Sequence, residues 1–144
     1  MSTQSYKNHA RSVPGFHFFL VPLCFVTIIA AITYTVFSIL RGEGVFAPLL
    51  IVTLALIVTF TVFFLRSFVC KVQDRAIRAE ENLRHYVLTG KLLDSRLSIR
   101  QIIALRFASD DEFSILCEKA VQERMLPDDI KRAIKNWQAD HDRV

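Results

Sequence analysis

The chain has 144 residues, 52% of them hydrophobic, and a formal charge of +4. Its mean hydropathy of +0.33 is high for a soluble domain and ordinary for a small membrane protein. Residues 66–144 carry fifteen Lys/Arg against thirteen Asp/Glu, a balance that lacks the dense basic field expected of a nucleic-acid binder, and three scattered cysteines imply neither a disulfide framework nor a zinc ribbon.

A short arm, residues 1–15, carries Lys7 and Arg11 with no acid. Two apolar runs follow, Phe16–Leu40 and Val45–Leu65, with no Asp, Glu, Lys or Arg in either. Each is long enough to cross a hydrocarbon core of about 30 Å as an α-helix. Arg41-Gly42-Glu43-Gly44 between them is too short to recross, so the runs predict an antiparallel transmembrane hairpin with both termini on one side. The first run exceeds a signal-peptide core and no A-x-A site follows it, which predicts an uncleaved span. Pro22 begins the regular helix or kinks it, and Pro48 stands in the first turn of the second span, where proline costs little.

Lys7, Arg11, Arg66, Lys71, Arg75, Arg78 and Arg84 flank the spans on the terminal side, and only Arg41 lies in the turn. This asymmetry places both termini in the cytoplasm. Thr27, Ala31 and Thr35 share one face of the first span, and Ala55 and Thr59 one face of the second, small surfaces that predict packing of the hairpin on itself. The spans offer no ionisable residue for an ion path and no second histidine to join His17 around a haem, so a single-chain channel, pump or cytochrome is disfavoured. His17 reads as an interfacial residue bonded to headgroups or water.

Helical pattern continues past Arg66, and Val45 to about Thr89 is predicted as one rod, closed by Gly90 as a left-handed cap. Val69, Val72, Ala76, Ala79, Leu83 and Tyr86 recur at spacings 3-4-3-4-3, a heptad-like stripe, with Asp74/Arg78 and Glu80/Arg84 as i,i+4 pairs on the outer faces. The stripe is either a seam between two chains or the surface on which the rest of the tail docks. Alanines at two of six positions weaken a seam, so docking within the chain is the expectation.

Ser98-Ile99-Arg100-Gln101 and Ser109-Asp110-Asp111-Glu112 both fit a capping box, and Pro127-Asp128-Asp129 fits a helix start. Three short helices are predicted, about Ile99–Phe107, Asp110–Met125 and Pro127–Asp140, with Trp137 buried as the end of the Ile130, Ala133, Ile134 face. The fold class is therefore all-α: a transmembrane hairpin (16–65) between an N-terminal arm (1–15) and a helical cytoplasmic stalk with a small bundle (66–144).

No nucleotide-binding, zincin or nucleophile-elbow motif is present, and His9, His17, His85 and His141 are too dispersed for a metal site. Capping accounts for Asp110, Asp111 and Glu112, and Cys24, Cys70 and Cys117 read as small hydrophobes. Lys131, Arg132 and Lys135 invite a helix-turn-helix reading, opposed by Asp128, Asp129, Asp140 and Asp142 beside them. Basic residues at the membrane exit suit anionic headgroups. No catalytic, cofactor-binding or metal-binding residue is assigned.

The segments Gln4–His9, Pro14–Phe18, Gln73–Arg84 and Ile103–Asp110 resemble a family of small bacterial two-span membrane proteins of unknown function with a helical cytoplasmic tail. The resemblance covers most of the chain and implies a bacterial inner-membrane setting, with no activity, ligand or catalytic residue to carry over. It draws attention to Asn8, Gln73 and Asn82, polar residues that generic helix chemistry does not require. The expected function is that of a non-enzymatic inner-membrane protein whose tail meets a protein partner, without cofactor, as an accessory subunit of a larger complex. The alternative is a membrane-tethered nucleic-acid-binding regulator.

Overall fold

Pro22 decides how the first helix begins. Its ring nitrogen carries no hydrogen, so the helical ladder must rearrange on the turn before it. The computed structural model, which describes residues 13–139, places a π-helical turn at Gly15–Leu20, with the Val21 N–H donating five residues back to the Phe16 carbonyl. α1 (Val21–Leu40) follows with Pro22 in its first turn. Pro22 thus starts the regular helix and widens the turn that precedes it.

α1 ends on a left-handed glycine. Gly42 has φ +69°, its N–H donates to the Ile39 carbonyl (3.1 Å), and the Glu43 N–H donates to the Ser38 carbonyl (2.9 Å). These two bonds satisfy the last turn as a Schellman motif does. α2 (Phe46–Thr89) is a single 44-residue helix, and Gly90 closes it at φ +72° as its position predicts. The chain then forms α3 (Ile99–Leu105), α4 (Asp110–Gln122) and α5 (Pro127–Ala133). Among the described residues the fold is all-helical, with no strand and one isolated antiparallel bridge, Ala108 to Trp137.

The described residues divide into two units, 13–69 and 70–139. In the first, Cys24, Ala31 and Ser38 are the buried residues of α1, and Pro48 and Thr59 are buried on α2. The close-packed face of α1 therefore runs through 24, 31 and 38; Ala31 belongs to it, and Thr27 beside it is exposed. Six threonines, among them Thr27, Thr35 and Thr59, donate their hydroxyls to the carbonyl four residues back at 2.7–2.8 Å. No hydroxyl in that set needs water, which suits an apolar surround.

The second unit has a true interior. Leu97, Ile102, Leu105, Phe107, Phe113 and Ile130 are buried together, and fully buried Ala104 and Ala120 let the short helices approach closely. Ile77 is the α2 residue that joins this core. The predicted stripe does not. Val72, Leu83 and Tyr86 are large and exposed, and Ala76 and Ala79 are exposed with them. Docking uses a different face of α2, through Ile77, Glu81, Arg84 and His85, because the bundle is held there by hydrogen bonds as much as by apolar contact.

The short helices end earlier than their apolar periodicity predicts. α4 stops at Gln122; Arg124 takes φ +49° and the Met125 N–H turns back to the Ala120 carbonyl at 3.1 Å. α5 stops at Ala133, and Ile134 is extended. The cause is Glu112, whose carboxylate accepts the backbone N–H groups of Lys135 (3.2 Å) and Asn136 (2.9 Å). The segment is thereby pulled out of helix and paired with 107–109: the Gln138 N–H donates to the Phe107 carbonyl and the Ser109 N–H to that of Asn136. Trp137 consequently lies on an extended strand-like stretch, half-buried, with its ring 5.0 Å from that of Phe107.

The two expected capping boxes diverge for the same reason. At Ser98 both reciprocal bonds form, with Gln101. At Ser109 no side-chain cap forms: the Glu112 carboxylate that would complete the box is engaged 24 residues away, and the Ser109 N–H it would accept donates to the Asn136 carbonyl instead.

Candidate functional site

Arg84 is the joint of the 70–139 unit. Its place on the docked face of α2 carries its guanidinium to the start of α4, where four oxygens receive it. It donates to Asp110 Oδ1 (2.7 Å), Glu81 Oε2 (3.2 Å), the Ala108 carbonyl (2.7 Å) and Gln138 Oε1 (3.1 Å). The same group lies 4.3 Å over the Phe113 ring. Sequence spacing pairs Arg84 with Glu80; the structure pairs it with Glu81 and, across the fold, with Asp110. Burial pushes the Glu81 carboxyl above its ordinary range, against the opposing pull of Arg84 and, further off, Arg106. Arg106 itself is buried, stacked 4.6 Å over Phe107. An arginine bonded to one carboxylate on its own helix and to a carboxylate, a carbonyl and an amide beyond it acts as a structural clamp.

Asn82, singled out by its polarity, has a comparable role: its Oδ1 accepts the Leu93 N–H at 2.9 Å and so fixes the loop after α2. Gln73 is half-buried on the same helix, and Asn8 lies outside the described residues.

Beside the clamp is a cleft of about 260 Å³ lined by His85, Lys91, Asp94, Arg96, Cys117 and Glu118 among others. It gathers residue types from which nucleophilic sites are made, with a thiol, an imidazole and a carboxylate each held in its own local setting. Burial, reinforced by the charge of Glu81, pushes the Cys117 thiol up to about 12, so thiolate is scarce at neutral pH. His85 Nδ1 lies 2.8 Å from the Lys91 carbonyl and donates to it, and its ring makes a T-shaped contact with that of Phe113, centroids 6.1 Å apart. Asp94 and Arg96 form a two-pronged pair, Nε to Oδ1 at 3.0 Å and NH2 to Oδ2 at 2.6 Å, which holds Asp94 down at about 2. In the full-length protein in mild detergent, with Cys24 and Cys70 replaced by serine, Cys117 should react with a thiol reagent at pH 8 roughly two to three orders of magnitude more slowly than after urea unfolding. Equal rates would remove the claim that this thiol is inert.

The remaining candidates fall apart in space. Lys131 and Arg132 stand on α5, with Lys131 3.8 Å from Asp128, whereas Lys135 lies past the helix end. The three do not share a helical face, and a seven-residue α5 is short for a recognition helix. His17 bonds to the backbone four residues earlier, with Nδ1 3.0 Å from the Val13 carbonyl. His9 and His141 lie outside the described residues. Among the described residues, no three or more His, Cys, Asp or Glu side chains gather as metal ligands do. In the 13–69 unit a cavity of about 340 Å³ is lined by Cys24, Thr27, Leu54, Ala55 and Thr59 with other apolar side chains. The hydroxyls of Thr27 and Thr59 are engaged with their own helices, so the lining offers little specificity to a polar ligand.

The family model described as "Family of unknown function (DUF6526)" matches residues 1–144, and the chain belongs to that family. No curated protein and no solved structure matches it.

Proposed function

We propose that the protein is a non-enzymatic two-span membrane protein, an accessory component that presents a cytoplasmic helical domain to a protein partner. The observation that carries this reading is the surface of its two long helices. Gly15–Leu40 and Phe46–Thr89 are long and apolar enough to cross a bilayer, and only 17% and 11% of their most apolar stretches is buried. A core helix of a soluble protein is mostly covered. Apolar helices this bare need lipid.

On this reading α1 and residues 46–65 of α2 form a hairpin, the rest of α2 leaves the membrane as a stalk, and the 70–139 unit is cytoplasmic. The Lys/Arg asymmetry supports that orientation, and a bacterial inner membrane is the setting. Arg66 fits the exit point: its guanidinium sits 5.5 Å over the Phe16 ring, at the depth where cations and aromatics meet headgroups. The tail supports an interaction role because it closes a core of its own and still leaves large apolar side chains such as Ile115 and Leu126 exposed on its short-helix side.

Accessibility labelling tests the topology. A cysteine at Gly44 should react with an impermeant reagent in intact cells, and cysteines at Ser2 or Asp142 should react only after lysis. The reverse pattern would overturn the orientation. Steeply salt-dependent DNA binding by the full-length protein would favour the tethered-regulator reading instead.

A further inference from the structure

We infer that the uncovered face of residues 69–86 is the seam of a parallel homodimer, with a second copy of this chain as its occupant. The inference rests on the membrane reading above, since two copies held in one bilayer in the same orientation present their cytoplasmic helices in parallel.

Three observations carry it. The first is the repeat. Val69, Val72, Ala76, Ala79, Leu83 and Tyr86 alternate at three and four residues, which assigns 69, 76 and 83 to a positions and 72, 79 and 86 to d positions of a heptad. The second is where the chain's own bundle docks. Ile77 and Arg84 are then b, Glu81 is f and His85 is c, so the bundle occupies the side opposite the a/d line. Val72 is 67% exposed, Leu83 64% and Tyr86 53%. The intramolecular fold thus leaves a second helix free access to the stripe.

The third is charge. In a parallel coil, the residue at g on one strand faces the e residue five positions further on its partner. Here g is Arg75 and e is Glu80, both exposed. Opposite charges meet twice across the two-fold axis, once on each side, beside the two alanine layers at 76 and 79. Those alanines let the helices approach closely there, and the larger Val72, Leu83 and Tyr86 fill the layers above and below. The seam is short, but confinement to one membrane raises effective concentration and makes a short seam sufficient.

The test uses the full-length chain in native membranes with Cys70 replaced by serine, since that site lies at b on this helix. Single cysteines at Val72, Ala76, Ala79 and Leu83 should form inter-chain disulfides on mild oxidation, and those at Lys71 (c) and Leu88 (f) should form few. Within the Leu83→Cys chain, Arg75→Glu or Glu80→Arg alone should lower dimer yield about fivefold, and the two together should restore it. Weak or position-independent crosslinking by a chain that resists alkaline carbonate extraction would overturn the seam and leave the membrane reading intact. Failure of the double charge reversal to restore yield would overturn the parallel register. Release of the protein by carbonate would instead overturn the membrane reading, and with it the reason for a parallel pair.

Discussion

Replacing Arg84 by methionine should destabilise the 70–139 unit by about 2–4 kcal/mol at pH 7.5, somewhat below the ~3–5 kcal/mol of a fully buried ion pair because Asp110 remains largely in solvent. The variant keeps the volume and the contact with Phe113 but strips four oxygens of their donor. Glu81 is the costly one: it is well covered, and burial already raises its pKa with Arg84 in place. A carboxyl whose pKa is higher in the fold than in the unfolded chain contributes its stability below the unfolded value of about 4.5, and loses it as pH rises through the folded value. Removing Arg84 moves the folded value further up, so the penalty of the substitution should shrink between pH 7.5 and pH 4.5. Adding Glu81→Gln should recover part of the loss at pH 7.5 and little at pH 4.5. Hydrogen exchange across α4 in the detergent-solubilised full-length protein reads both effects. A penalty independent of pH would show that Glu81 is not the group left stranded.

How far the sequence shows this arrangement depends on how far apart the deciding residues lie. Signals within one turn are readable: the Ser98–Gln101 capping box, the left-handed Gly90 and the proline start of α5 all form where local chemistry puts them. The apolar lengths that suit a bilayer are equally plain. The ends of α4 and α5 are not, because Glu112 reaches 24 residues along the chain to Asn136 and overrides a periodicity that would carry α5 on through Trp137. The same reach takes the return bond from the Ser109 box, which fits the same sequence pattern as the one that forms.

The docking face is the most instructive miss. Hydrophobic periodicity points to 72, 76, 79, 83 and 86, but the bundle sits on a face with one isoleucine and several polar side chains, Glu81, Arg84 and His85 among them. Hydrogen bonds to a carbonyl, an amide and a carboxylate specify that face, and their partners lie 24, 54 and 26 residues away. Periodicity reports apolar surface. It does not say which surface the chain itself will use.

Phe113→Ala should be the most damaging single truncation, costing about 3–5 kcal/mol. Its ring is wholly buried at the centre of the tail core, with the Arg84 guanidinium over one face and the His85 ring in a T-shaped contact with it. Alanine would leave a cavity bounded by a charged group, which cannot collapse inward without losing its four bonds. A domain of this size has a total stability of only about 4–10 kcal/mol, so α3 to α5 should lose most of their exchange protection. Phe113→Leu, which keeps most of the volume, should cost no more than about 1–2 kcal/mol. Neither α1 nor residues 46–69 of α2 contributes to this core, so on the proposed membrane reading integration should survive both changes. The inter-chain crosslinks at Val72 and Leu83 should survive as well, because the face that carries them is turned away from Phe113. Loss of those crosslinks in Phe113→Ala, with α2 still protected from exchange, would mean that the bundle and not the heptad stripe holds the two copies together.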